Sequence, residues 1–208
     1  MIIQNTNGGM KQIAIDIQKR IHHLQASWIS KNSSYEKKLC SVFNWKVVNS
    51  RYYDAITETN ALVEIKKGIN GMHFDMIRYA EILLGHGVQN TITLYFHWRK
   101  DINRVTDVCI INTKVLINFL QINNYFANVY LQVKQVVPRN VSVCANLTSL
   151  DLRQLADYIV FFDGRLVDNS KVDKSKYAPT LLKKQKKETI MPQKPKGVKK
   201  TSIKYYLY

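Results

Sequence analysis

Apolar positions along the chain change period several times, and each change marks an element. Between Met10 and Ile29, Ile13, Ile17, Ile21, Leu24 and Trp28 recur at helical spacing, which predicts an amphipathic helix. Ser33-Ser34-Tyr35-Glu36 opens a second helix running to about Phe43, with Ser33 and Glu36 spaced as in a capping box. The period then drops to two. Trp45–Asp54 and Ala61–Lys67 predict strands, supplied with β-branched residues by Val47, Val48, Ile56, Val63 and Ile65, and the polar stretch Thr57–Asn60 predicts the turn between them. Lys67-Gly68-Ile69-Asn70-Gly71 predicts a further turn.

Met72–Leu84 predicts a helix that Gly85-His86-Gly87 ends, with Met72, Met76, Tyr79, Ala80, Leu83 and Leu84 as its core face. Asp75, Arg78 and Glu81 fall opposite, where they either reach DNA or a metal site or form a solvated face. Thr91–Trp98 predicts a strand, Arg99–Arg104 a polar turn and Val105–Asn112 a strand antiparallel to its neighbour. Strand, helix, strand across 61–98 makes a βαβ unit, so strands 61–67 and 91–98 are expected to run parallel. Thr113–Gln121 predicts a helix. Asn128–Val137 and Val141–Leu147 predict a strand pair turning at Pro138-Arg139-Asn140, whose polar residues Tyr130, Gln132, Lys134 and Gln135 suit either a DNA groove or open solvent. Thr148–Tyr158 predicts a helix capped by Thr148 or Ser149, and Ile159–Val167 a hairpin turning at Asp163-Gly164. The fold class is α/β: a mixed central sheet with helices flanking it on both sides.

Charge adds a partner. The 208 residues hold 31 basic and 15 acidic side chains, a net charge of +16, which implies a polyanion, most often nucleic acid. Composition changes at Asp168. Residues 169–208 hold twelve lysines, no arginine and only two acids, +10 of the total, along with three of the four prolines. They read as a basic C-terminal arm that grips phosphates without reading bases, leaving 1–168 as the folded domain. Lys183, Lys184, Lys186 and Lys187 are its densest run, and also resemble a short nuclear-import signal. Apolar runs fall short of a membrane span, and Met1–Met10 lacks the apolar core of a signal peptide. Cys40, Cys109 and Cys144 are odd in number and far apart, as expected of reduced thiols in an intracellular protein of the cytoplasm, nucleoid or nucleus. No membrane partner and no zinc site are expected.

Chemistry concentrates in Tyr52–Lys67. Asp54 is followed, after nine residues, by Glu64-Ile65-Lys66. Alternation along a strand puts Glu64 and Lys66 on one face, and a hairpin brings Asp54 back beside them. Two hard carboxylates suit Mg²⁺, which binds phosphate and lowers the pKa of a bound water. A neighbouring lysine orients that water or acts as its base. A plain surface hairpin with a Glu/Lys pair is the other reading of the same residues.

Asp54 followed by Glu64-x-Lys66 resembles the core motif of the PD-(D/E)xK nucleases, which include type II restriction endonucleases. The resemblance covers roughly residues 45–112, and Tyr53 stands where the motif often has proline. It implies a restriction-endonuclease-like core, Asp54 and Glu64 as metal ligands, Lys66 as the catalytic lysine, and Mg²⁺ as cofactor. It implies hydrolysis of double-stranded DNA to a 3′-hydroxyl and a 5′-phosphate, by an enzyme that works as a homodimer and is sequence-specific. In such nucleases a glutamate on the preceding helix sometimes joins the metal, which makes Glu36 a candidate, although a capping role explains it as well. Lys67, Arg78, Lys134 and the arm lysines are the expected DNA contacts. Two alternatives stand beside this reading: a nuclease selective for junctions, flaps or repair intermediates, and a nucleic-acid-binding protein without catalysis. His97, His22 and His23 are read as histidines with ordinary structural or surface roles, with phosphate contact as the alternative.

Overall fold

Thr91–Arg99 (β5) is the strand on which the rest is built, because both of its faces are covered: seven consecutive residues from Thr91 to His97 are buried. In the computed structural model, which describes residues 6–21, 34–85, 90–99, 101–102, 104–136, 143–162 and 164–167, β5 lies at the centre of a seven-stranded mixed sheet. The other strands are β1 (Lys46–Val47), β2 (Ala55–Ile56), β3 (Leu62–Gly68), β6 (Arg104–Asn112), β8 (Tyr158–Phe162) and β9 (Arg165–Leu166), in the order β1-β2-β3-β5-β6-β8-β9. β3 and β5 pair in parallel, with Glu64 opposite Thr93 and Lys66 opposite Tyr95; every other pair is antiparallel. The expected parallel βαβ unit and its antiparallel successor are therefore present.

The two faces bury separate cores. Val63, Ile65, Ile92, Leu94, Phe96, Val108, Ile110 and Val160 point to one side, where α1 (Thr6–Arg20) and α2 (Tyr35–Phe43) cover them with Met10, Ile13, Ile17, Leu39 and Phe43. Tyr95, Cys109, Ile111 and Ile159 point to the other. There they meet α3 (Met76–Leu83), α4 (Thr113–Phe119), α5 (Asn124–Val136) and α6 (Ser149–Leu155), together with a small second sheet of β4 (Gly71–Asp75) and β7 (Cys144–Thr148). Odd and even residues of each strand thus serve different cores, the consequence of a period of two inside a two-sided sheet.

Several elements differ from the sequence reading. Trp45–Asp54 is not one strand: β1 and β2 are two residues each, and residues 48–54 loop between them. The turn Thr57–Asn60 is as expected, with Asn60 in the left-handed region and donating its amide to the Thr57 carbonyl. Met72–Asp75 is strand β4 rather than the first turn of a helix, because Met72, His73, Phe74 and Asp75 pair with Leu147, Asn146, Ala145 and Cys144. The helix begins only at Met76, and Asp75 caps it, accepting from the Ile77 and Arg78 amides at 3.0 and 3.4 Å. Of the predicted strand Asn128–Val137, residues 128–136 are instead most of helix α5 and Val137 lies outside the described residues; β7 pairs with β4 instead of forming a hairpin with that segment. The helix over Thr148–Tyr158 is shorter, Ser149–Leu155, with Thr148 as its cap in a full capping box with Asp151. Ser34, not Ser33, precedes α2 and makes no side-chain cap bond. Ser33, the end of the first predicted helix with His22 and His23, and the arm from 168 onward lie outside the described residues. The chain divides into two units, Met1–Asp173 and Lys174–Tyr208. No described helix is long and apolar enough to cross a membrane.

Candidate active site

β2 runs beside β3 for only two residues before the two part, and Asp54 sits at the fork. Its amide donates to the Val63 carbonyl at 2.8 Å, the last rung of that ladder. One residue pair further on, the partner of the Ile65 amide is no longer a main-chain carbonyl but Asp54 Oδ2, at 2.6 Å. Tyr35, at the start of α2, closes the same gap from the other face: its hydroxyl donates to the Ile65 carbonyl at 3.2 Å. Opening the sheet at this point is what aims the Asp54 carboxylate at β3.

Glu64 projects to the opposite face from Ile65 and is 4 % exposed. Lys66, two residues along, and Arg78 on α3 both pair with Glu64 Oε1. Burial pushes the Glu64 carboxyl above its ordinary pKa; Lys66 and Arg78 pull the other way, and the nearby Asp54 carboxylate pushes it up again. The Asp54 carboxylate acting on Glu64 puts two like charges within reach of one another, a situation a bound cation relieves. Arg78 Nε is a buried donor with no hydrogen-bond partner among the described residues.

Tyr35 ties the remaining groups to this pair. Burial raises its phenol well above the ordinary range, and Glu36, Asp54 and Glu64 all add to the rise. Lys67 lies over the Tyr35 ring, with Nζ 4.3 Å from the centroid. Burial lowers the Lys67 ammonium, and Glu36 opposes that. The structure thus brings Asp54, Glu64, Lys66 and Arg78 together along β3, while Lys67 turns to the other face of that strand with Tyr35. Behind Glu64 the sheet is polar: Tyr79 also senses it, and Thr91 donates to Thr113 at 2.8 Å.

The donor set fits Mg²⁺. The contacts above use Asp54 Oδ2 and Glu64 Oε1, leaving Asp54 Oδ1 and Glu64 Oε2 without a hydrogen bond among the described residues. Those residues contain no group of three or more His, Cys, Asp or Glu arranged to hold a metal. One or two carboxylates are sufficient for Mg²⁺, which keeps waters and phosphate oxygens for its other positions.

Other sequence candidates are placed elsewhere. Lys134 pairs with Glu81 on α3, which also accepts from Arg51 Nε at 2.7 Å and from the Tyr52 hydroxyl at 3.3 Å. Glu81 is therefore buried rather than on a solvated helix face; burial alone would raise its pKa, but its bonds to Lys134 and Arg51 outweigh that and lower it. With 128–136 helical, the expected polar strand pair is not formed among the described residues. Lys183, Lys184, Lys186 and Lys187 fall outside the described residues. His97 is buried and held, its Nδ1 2.6 Å from Asp107 Oδ2 and its Nε2 2.6 Å from the Ile69 carbonyl, while Arg153 also binds Asp107 at 2.7 Å. Sequence reasoning missed Tyr35 and the pairing of Arg78 with Glu64. The first had no signal beyond its place beside Glu36; the second follows from helical position only once the start of α3 is known.

Beside the site lies a cavity of about 470 Å³, whose lining includes Lys66, Lys67, Tyr35, Met72, His73 and Trp98. Compared with models of known protein families and with curated proteins, the chain matches none.

Proposed function

We propose that the chain is a Mg²⁺-dependent endonuclease that hydrolyses phosphodiester bonds of double-stranded DNA. The observation that carries this reading is the fork at Asp54: a strand that leaves its neighbour so that its carboxylate meets the strand bearing Glu64 and Lys66. Asp54 and Glu64 would hold the ion, which would supply charge neutralisation at phosphorus and a water of lowered pKa.

The chain's own groups do the rest. Lys66, already drawn to Glu64, orients the attacking water and takes or shares its proton. Arg78, paired with Glu64, brings a guanidinium charge beside the scissile phosphate. Lys67 adds a cation at the mouth of the site, and the lysine-rich arm adds affinity along the backbone. Glu36, sharing Tyr35 with the pair, serves as an auxiliary carboxylate. Cutting both strands calls for two sites, hence a homodimer. The +16 charge fits a binding protein equally well; the paired carboxylates with their lysine favour the enzyme.

The test is cleavage. The full chain should cut duplex DNA with Mg²⁺ or Mn²⁺, stop with EDTA, and with Ca²⁺ bind without cutting. Lys66→Ala should bind DNA normally and cut at least about 100-fold more slowly. Cutting that survives EDTA, or an unimpaired and folded Lys66→Ala, overturns the proposal.

A further inference from the structure

Asp54 ends a loop that leaves the sheet and returns to it through very short strands. β1 and β2 are two residues each, and residues 48–54 between them are closed at the base by the Val48 amide, which donates to the Asp54 carbonyl at 2.9 Å. The far end of the loop is held from outside the sheet. Arg51 Nε donates to Glu81 Oε2 at 2.7 Å, and the Tyr52 hydroxyl donates to the same oxygen at 3.3 Å. Arg51 Nη2 also lies 3.7 Å from Asp75, the residue that caps α3. Glu81 is buried, and its other oxygen pairs with Lys134 of α5, so both of its oxygens are engaged. Arg78, one turn earlier on α3, pairs with Glu64. One helix therefore grips both carboxylate-bearing segments, β3 through Arg78 and the Asp54 loop through Glu81. A buried ion cluster contributes little net stability compared with apolar packing, but it is costly to break and so holds its partners in one arrangement.

We propose that Glu81 is a positioning residue for the metal site: by holding Arg51 and Tyr52 it fixes the 48–54 loop, and so keeps the Asp54 carboxylate where it and Glu64 can share one divalent cation. This rests on the nuclease reading for what Asp54 does and extends it to what keeps Asp54 in place. Mg²⁺ demands near-octahedral oxygens at about 2.1 Å and tolerates little drift in its ligands. Partners that orient a ligand from behind change metal affinity about 10- to 100-fold when lost. Glu81 acts through the loop rather than on the ligand itself, so about tenfold is expected. A purely structural Glu81 predicts something else: a loss of stability shared by the whole domain, with the metal affinity of the folded protein unchanged.

The experiment uses the full chain and reads two quantities. The first needs no metal: hydrogen exchange of the Ile65 amide, whose acceptor is the Asp54 carboxylate, measured relative to the amides of β5. The second is the Mg²⁺ concentration that half-saturates cutting of duplex DNA. Glu81→Gln should speed Ile65 exchange about tenfold relative to β5 and raise the half-saturating Mg²⁺ about tenfold, while the rate at saturating Mg²⁺ stays close to that of the unaltered chain. Arg51→Gln, at a nearly half-exposed position, should reproduce both shifts, and it decides the matter if Glu81→Gln does not fold. The double variant should lose no more than either single one, because the two side chains act as a unit. Ile17→Val, in the core under α1, should lower overall stability without either shift. Unchanged Ile65 protection relative to β5, an unchanged Mg²⁺ midpoint, or equal shifts in Ile17→Val would overturn the proposal. Selective loss of Ile65 protection in Glu81→Gln, beside an unaltered chain that cuts no DNA in Mg²⁺, would instead uphold the hold of Glu81 on Asp54 and sink the nuclease reading alone.

Discussion

Two buried glutamates, Glu64 on β3 and Glu81 on α3, should respond oppositely when neutralised. Glu64 and Glu81 are 4 % and 5 % exposed, and each meets two cations. Glu64 also faces Asp54, and its pKa is raised; that of Glu81 is lowered. A raised carboxyl means that ionising it opposes folding, so the penalty is absent below the ordinary glutamate pKa and grows as pH rises through the folded value. Glu64→Gln should then stabilise the metal-free protein at pH 8 by about 1 kcal/mol, since Lys66 and Arg78, each a quarter exposed, can turn to water. Glu81→Gln removes charge from bonds to Arg51 and Lys134. Both partners are nearly half exposed, so the loss should be about 1–2 kcal/mol rather than the full value of a buried pair. In melting temperature these are a rise of about 2–4 °C and a fall of about 2–8 °C. Thermal melts in EDTA from pH 4 to 8 check them: the Glu64→Gln advantage should vanish toward pH 4, and the Glu81→Gln deficit should shrink as pH falls. A Glu64→Gln protein that melts several degrees lower at pH 8 would refute the reasoning, because the carboxylate would then be a stabilising ion-pair member and not a charge held for chemistry.

Deleting residues 169–208 should weaken DNA binding and reduce its salt slope by about 0.9 for each phosphate that the arm no longer neutralises, read from affinity against salt; loss of sequence preference at constant affinity would contradict the arm's proposed role. Gly68→Ala would put a Cβ 1.8 Å from the Gly71 carbonyl oxygen, a backbone clash that cannot relax by side-chain rotation. It should cost about 3 kcal/mol in a denaturant melt, and a neutral result would mean the β3–β4 connection is placed wrongly.

Much of the sheet was legible because its signal is local. β5, β6 and the parallel partner β3 announce themselves through β-branched and aromatic runs, and the Asp54, Glu64, Lys66 spacing needs only a short hairpin to converge. What failed depended on distant partners. Met72-His73-Phe74-Asp75 alternates buried and exposed residues as a strand should, but its mate lies more than sixty residues later, and the helix after it drew the reading forward. In 124–136, Val129, Val133 and Val136 suggest a strand by their β-branching, yet Ala127 and Tyr130 fall at helical spacing and turn toward the second core. Propensity lost to packing there. Arg78 and Glu81 could not be assigned partners from the helix alone, because those partners, Glu64 for the first and Arg51 and Lys134 for the second, lie on segments remote in sequence.

The parting of β2 from β3 bears on solubility as well as chemistry. Beyond Val63 no described strand pairs with the outer edge of β3, and a bare stretch of a mostly buried strand is a template onto which another chain can add. Here the exposed rung is already taken: the Ile65 amide by the Asp54 carboxylate, the Ile65 carbonyl by the Tyr35 hydroxyl. The carboxylate proposed to serve the reaction is also half of a plug against intermolecular strand addition. Variants at Asp54 should therefore be judged by aggregation as well as by activity, and Asn, which keeps the oxygen acceptor, is the substitution that separates the two.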